Sequence, residues 1–237
     1  MIYAIGDIHG QIEQMDKALA MIDADGGPDA HIVFLGDYTD RGPDSRAVVQ
    51  KLIDGVAAGK NWTVLRGNHD RMFVRYVTQG IEHDERILSG KGWLNPSLGG
   101  RETLASYGVD PDAENVLELA KAAVPTEHME FLSSRDLWFE SDDLLFVHAG
   151  IKPNVAMQDQ DEDDLIWIRD GYLDYTDPHF KLIVHGHTAL DEPTHFGNRV
   201  DLDTGAGYGR PIVPAVFDGK DCYILTETGR QALLPAS

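Results

Sequence analysis

Five short apolar runs stand out along the chain, at 2–5, 32–35, 62–65, 144–147 and 182–184. Each is rich in β-branched or aromatic residues and too short for a helix, the signature of a buried strand. Each then breaks at once into polar residues: "GDIHG", "GDYTDRG", "RGNHD", "HAG" and "HGHT". Between the first three runs the apolar positions change period. Ile12, Met15, Ala18, Leu19 and Ile22 recur at helical spacing, and 45–56 repeats the pattern. Strand, helix, strand, helix, strand predicts parallel pairing with right-handed crossovers, so the front third reads as an α/β unit.

Residues 71 to about 138 are helical in character, with glycine and proline punctuation from Gly90 to Pro125. This insert lies between two of the polar strand ends, the place for a lid or specificity subdomain or for a plain structural cover. From Arg199, "RVDLDTGAGYGRPIVPAVFDGKDCYILTET" alternates and carries turn signals, which predicts antiparallel strands finishing a sheet. Repeats, linkers and low-complexity tracts are missing, so one domain over 1–237 is expected.

Composition narrows the function. Forty acidic against twenty basic residues leave a formal charge of -20, which repels nucleic acid and anionic lipid. An anionic substrate would need a few placed arginines or bound cations to offset that field. Cys222 is the only cysteine, which excludes an intramolecular disulfide. A cysteine-nucleophile phosphatase would need Arg six positions later, where Thr228 stands, so Cys222 reads as a core residue. The opening "MIYAIGDIHG" has no leader character and no run approaches a membrane span, so a cytoplasmic location is expected. Nothing in the sequence specifies an oligomeric state.

In α/β sheets, ligands lie at the carboxyl ends of the strands. The five polar continuations would therefore converge along one edge of one sheet. Asp7 and His9, two apart, would point the same way from an extended segment. Asp37 has two carboxylate oxygens, enough to bridge two cations. Asn68 offers an amide oxygen; His148 and His187 offer imidazole nitrogen. Donors of this kind, without thiolate, suit manganese, iron or zinc.

The order and spacing of these five motifs, together with "GGRETLASYG", "FVHAGIKP", "LIWIRDGYL" and "NRVDLDTGAGYG", resemble the calcineurin-like metallophosphoesterases. The likeness is to the phosphoprotein phosphatase branch, with its bacterial serine/threonine phosphatases and diadenosine tetraphosphatases. It implies an α/β (α+β) fold, a four-layer αββα sandwich with a helical insert. It also implies two divalent metal ions, manganese first with iron or zinc as alternatives. Asp7, His9 and Asp37 would hold one, and Asp37, Asn68, His148 and His187 the other. Metal binding lowers the pKa of water from 15.7 towards ~7, so a bridging hydroxide can attack phosphorus.

By the same resemblance His69 protonates the leaving alkoxide and Asp40 holds its ring. Arg41 and Arg169 bind phosphate, with Asn68 touching a phosphate oxygen. Arg66 either assists or is a salt-bridged structural residue. Asp70 reads as a turn or helix N-cap residue, and His185 as a strand residue or one behind the ligands. Serine/threonine phosphoprotein phosphatase is the first substrate expectation; symmetrical diadenosine tetraphosphate hydrolysis is the alternative. Asp70 replaces the Glu that follows the catalytic His in eukaryotic protein phosphatases, and "DTGAGYG" replaces their Ser-Ala-Pro-Asn-Tyr segment. A metal-free binding scaffold would have eroded ligands, yet Asp7, His9, Asp37, Asn68, His69, His148 and His187 are all present.

Other signals lose on inspection. "DQDEDD" lacks the Gly and Glu of a calcium loop and reads as a solvated lead into a helix over "LIWIRDGYL". No P-loop and no nucleophile elbow occur. Trp93, Trp138 and Trp167 read as packing residues.

Overall fold

The computed structural model describes residues 1–236. β1 (Ile2–Ile5), β2 (Ile32–Phe34) and β3 (Trp62–Val64) form on the first three apolar runs and pair in parallel. α1 (Ile12–Gly26) and α2 (Ser45–Ala57) return the chain between them. Their buried residues keep the helical interval, Met15, Ala18 and Ile22 in α1, and Val48, Val49 and Leu52 in α2. Asp44 caps α2, its carboxylate accepting the Ala47 amide at 3.1 Å.

The insert contains α3 (Asn68–Gln79), α4 (Gly100–Ser106), α5 (Val116–Ala123) and α6 (Thr126–Ser133). Its first helix starts at Asn68, before the expected boundary, so the "NHD" of "LRGNHD" is a helix start and not a loop. The chain continues through β4 (Trp138–Glu140), β5 (Leu144–Val147), α7 (Glu162–Trp167), β6 (Leu182–His185), β7 (Thr194–His195) and β8 (Arg199–Asp201). It ends with β9 (Ala215–Asp218), β10 (Asp221–Thr226) and β11 (Gly229–Ala232).

Two sheets result, ordered β11-β10-β9-β1-β2-β3 and β4-β5-β6-β8-β7. The expectation of one sheet edge is therefore corrected: three polar ends leave the first sheet and two leave the second. The tail is corrected likewise. β9, β10 and β11 are antiparallel and extend the first sheet, but β8 pairs in parallel with β6 in the second. Alternation alone did not separate them, because β8 is only three residues long and buried throughout.

The apolar runs are continuous because both faces of each strand are covered. Ala4, Val33, Phe146, Val184, Val200 and Phe217 meet between the sheets. Tyr3, Ile5 and Phe34 turn outward under the helices, while Leu145, Val147 and Ile183 turn outward under Leu165, Ile166 and Tyr172. This is the αββα sandwich, with a thin outer layer over the second sheet where α7 spans six residues. α7 ends at Trp167, so Arg169 lies beyond it, not within a longer helix as the "LIWIRDGYL" pattern suggested. Cys222 faces the inter-sheet core, and burial pushes its thiol up to about 12. Among the described residues no helix is long and apolar enough to cross a membrane.

Candidate metal centre and acid–base pair

Past the strand ends the backbone leaves the extended region. Among the described residues six non-glycines have positive φ, and five of them are His9 (46°), Asp37 (54°), Asp40 (74°), Arg41 (65°) and His187 (67°). Such conformations cost roughly 1–3 kcal/mol each and gather where function demands them. His9 is thus not extended, and the simple two-residue alternation expected for Asp7 and His9 is corrected. A web of amides holds the bends instead. Ile8 and His9 donate to the Asp37 carbonyl at 3.0 and 2.9 Å, and Gly10 donates to Tyr38 at 2.9 Å. Asp70 is not the N-cap itself, which is Gly67, but it caps the helix from the third position by accepting the Gly67 amide. In the first turn of α3 its carboxylate accepts the amides of Gly67, Asp37 and Tyr38 at 3.0, 2.9 and 2.9 Å, pinning the 37–39 loop to the helix.

Six proposed metal ligands converge. Asp37 belongs to two clusters of donor atoms, one with His9 and His69 and one with His148 and His187, each cluster within 4.8 Å. Asp7 Oδ2 lies 3.8 Å from His9 Nε2, and Asn68 Oδ1 lies 2.9 Å from His148 Nε2. Backbone space is cut to fit: a Cβ at Gly67 would meet Asp37 Oδ1 at 2.1 Å, and one at Gly186 would meet Asp7 Oδ1 at 2.2 Å.

Hydrogen bonding shows what these donors require. His148 Nδ1 lies 2.9 Å from the Leu35 carbonyl, which can only accept, so Nδ1 carries the ring proton. Its Nε2 lone pair then faces two more acceptors, Asn68 Oδ1 at 2.9 Å and Asp37 Oδ1 at 3.5 Å. His9 shares the tautomer, with Nδ1 on the Thr39 carbonyl at 2.7 Å, but its Nε2 accepts from Arg41 at 2.8 Å while lying 3.7 Å from Asp37 Oδ2. His187 Nε2 is buried without a hydrogen-bond partner among the described residues. A second ring proton would relieve the conflict, but burial opposes it, holding His148 down to about 3 and His9 and His187 well below the usual range. Burial also lifts Asp7 and Asp37 well above theirs; Asp203 and Asp37 add to the effect on Asp7, and Asp70 to that on Asp37. Lone pairs on lone pairs among crowded carboxylates fit divalent cations, with carbonyls fixing the imidazole tautomers.

Beside this cluster His69 Nδ1 lies 2.6 Å from Asp40 Oδ2. Asp40 also accepts Trp93 Nε1–H at 2.8 Å and the Thr103 hydroxyl at 2.7 Å. Burial raises Asp40 to about 7, and these two hydrogen bonds work against the rise by favouring the carboxylate. His69 is held well below its usual range by burial and then by Arg41. Arg41 donates to His9 Nε2 at 2.8 Å and to His69 Nε2 at 3.2 Å, joining two members of the first cluster. Arg169 donates to the His187 carbonyl at 3.1 Å, and its charge acts on Asp37 and Asp7.

Arg66 does not join them. Its hydrogen bonds go to Glu162 at 2.8 Å and the Ser133 carbonyl at 3.1 Å, the salt-bridged role. Two of the five acidic residues in the run are thereby engaged, since Asp163 also meets Arg71 at 2.5 Å. His185 sits behind the site beside Arg199 and Asp201. Trp93, Thr103, Asp203 and Tyr208 were not expected near it. Only the extra carboxylate in "DLDTG" gave any local signal; Tyr208 sits under Arg41 at 5.0 Å.

A sandwich whose two sheets deliver buried carboxylates and imidazoles to one dinuclear donor cluster is the architecture of a metal-dependent phosphoester hydrolase. Residues 1–191 match the calcineurin-like phosphoesterase family, and the chain belongs to that family, whose members use a dinuclear divalent metal centre. It is 25% identical over 238 residues to an asymmetrical bis(5'-nucleosyl)-tetraphosphatase of Oceanobacillus iheyensis, covering 92% of this chain and 88% of that one. It is 28% identical over 158 residues to the symmetrical enzyme of Delftia acidovorans, covering 67% of this chain and 47% of that relative, so it spans about half of that relative's length. Among solved structures, a candidate diadenosine tetraphosphatase superposes with TM-score 0.65 at 21% identity over 99% of this chain and 94% of that one. A cold-active protein tyrosine phosphatase superposes with TM-score 0.65 at 17% identity over 99% of this chain and 78% of that one.

Proposed function

We propose that this phosphoester hydrolase acts on dinucleoside polyphosphates. This reverses the order expected from the sequence, which put phosphoserine and phosphothreonine proteins first. The observation that carries it is a cleft of about 810 Å³ bordered by Arg169. Arg86 and Lys152 also line it, with Tyr175 and with Trp167, which the sequence had suggested only for packing, and the three carboxylates Glu85, Asp164 and Asp170 leave divalent cations to balance part of the substrate's charge. Cations and aromatic faces running away from a phosphate-binding arginine suit further phosphates ending in a nucleobase. The names carried by the sequence relatives point the same way.

Divalent cations held by Asp7, His9, Asp37, Asn68, His148 and His187, manganese in our proposal, would supply positive charge to phosphoryl oxygens and a water acidified for attack. The chain's own residues do the rest. Arg41 releases His9 and His69 to fork onto phosphate, and Arg169 grips it from the His187 side. His69 keeps its Nδ1 proton on Asp40 and delivers a proton from Nε2 to the leaving oxygen. Asp40 supports the positive ring that precedes this transfer.

The test uses chelator-stripped protein with added manganese on diadenosine tetraphosphate, a phosphoserine peptide and p-nitrophenyl phosphate, with products resolved. We expect kcat/KM for the dinucleotide to exceed that for the peptide, and Arg86→Ala to raise KM for the dinucleotide alone. Two nucleoside diphosphates, or a triphosphate with a monophosphate, would assign the bond cut. A preference for the peptide would restore the protein phosphatase reading. No turnover of any of the three with manganese, iron or zinc, by folded protein, would refute both.

A further inference from the structure

Asp40 is gripped from the insert as well as by His69. Its Oδ2 accepts the Trp93 indole N–H at 2.8 Å, and its Oδ1 accepts the Thr103 hydroxyl at 2.7 Å. Thr103 Oγ1 also accepts the Asp40 amide at 2.7 Å, so a single side chain bonds both the backbone and the carboxylate of Asp40. The next residue is held too: the Arg41 amide donates to the Gly99 carbonyl at 3.2 Å. A Cβ at Gly99 would meet Arg41 N at 2.2 Å, and φ there is 91°, so only glycine admits this approach. The insert segment from Trp93 to Thr103 thus closes on two consecutive left-handed residues, Asp40 and Arg41.

Trp93 is 0% exposed. It stacks on Phe73 at 5.5 Å and packs against Tyr76 at 4.8 Å, both on α3, the helix that carries His69. One indole therefore braces the helix presenting the imidazole and bonds the carboxylate that orients it. A carboxylate's terminal torsion is soft, and two fixed donors on separate oxygens remove that freedom.

We propose that Trp93 and Thr103 are positioning residues of the acid–base pair, making the insert part of the catalytic apparatus and not only a cover. They aim Asp40, and through it His69 Nε2, at the leaving oxygen. The proposal rests on the reading of His69 as proton donor.

A positioned acid matters most when the leaving group is poor. Thr103→Val, Thr103→Ser and Trp93→Phe would be compared with wild type on aryl phosphates running from 2,4-dinitrophenyl to phenyl phosphate, alone and in a His69→Asn background. We expect Thr103→Val and Trp93→Phe to lose roughly tenfold to hundredfold in kcat on phenyl phosphate, part of the 10²–10⁴ that such proton transfer contributes, and under about threefold on the dinitrophenyl ester. Thr103→Ser should restore the steep substrates. Neither change should add a further loss once His69 is Asn.

Thermal melts identify any variant that fails to fold, and Thr103→Val carries the test if Trp93→Phe does. Equal losses across the series, or losses that persist undiminished in the His69→Asn background, would overturn the positioning role alone. Folded, manganese-supplied wild type that hydrolyses neither these esters nor diadenosine tetraphosphate would remove the proton-donor reading and this proposal together. If only the dinucleotide is turned over, the same variants are compared on it, where an unchanged kcat would overturn the positioning role.

Discussion

The same five strands cross two environments that are equally dry and chemically opposed. Their bodies bury Val33, Phe146 and Val184 at 0% exposure; their ends bury Asp37 at 1%, His148 at 0% and His187 at 7%. Burial therefore does not distinguish core from site. Satisfaction does. In the body each apolar group meets apolar neighbours, from the facing sheet or from the outer helices, whereas at the ends lone pairs meet lone pairs and the backbone adopts left-handed bends. The body stores stability that the ends spend on a cluster only a cation completes.

The largest effect should appear where the ends do chemistry. His69→Asn is expected to lower kcat by roughly 10²–10⁴ while leaving the melting temperature nearly unchanged. A comparable fall in stability would mean that the pair with Asp40 is structural. The matching change in the body is Phe146→Ala, between the sheets. We expect a loss of about 3–5 kcal/mol in urea unfolding, with kcat per folded molecule retained. If activity fell before stability, the two regions would not be separable.

Metal sharpens the contrast further. Manganese at 100 times its Kd should stabilise the chelator-stripped protein by about 2.7 kcal/mol, read as a rise in melting temperature. Asp37→Asn should abolish that response and leave the stripped protein as stable as wild type or more so, because a buried repulsion is gone. An undiminished response would remove Asp37 from the centre.

The smallest expected effect concerns protons behind the site. Burial and then Arg199 hold His185 down to about 3, whereas an unfolded histidine titrates near pH 6.5. The unfolded chain binds the proton first. Stability from this group is full above about pH 6.5 and is lost as pH falls towards 3, by up to about 1.4 kcal/mol per pH unit. Unfolding at pH 7 and 4.5 should show a shallower acid decline for His185→Gln than for wild type. Parallel declines would mean that other groups set the acid limb.

Local hydrophobicity made the strands legible, and five polar continuations made the metal donors legible, since a ligand needs only the right atom at a strand end. Arg66 and Asp70 show the limit. An arginine in "RGNHD" is as suited to phosphate as to Glu162, and only the position of α7 chose. Asp70 could have capped a helix from sequence alone, but its bond to Asp37 N depends on two loops lying side by side.

What the sequence determined by itself is the parallel pairing of the first three strands, where each donor leaves its strand and which cation chemistry those donors can serve. Only the tertiary structure decided that the five ends come from two facing sheets. It also decided that the indole of Trp93, 53 residues away in the chain, hydrogen-bonds the Asp40 carboxylate. Periodicity reports which side of an element meets water, because burial acts residue by residue. A hydrogen bond between distant segments leaves no such trace, because its free energy exists only once packing has brought donor and acceptor together.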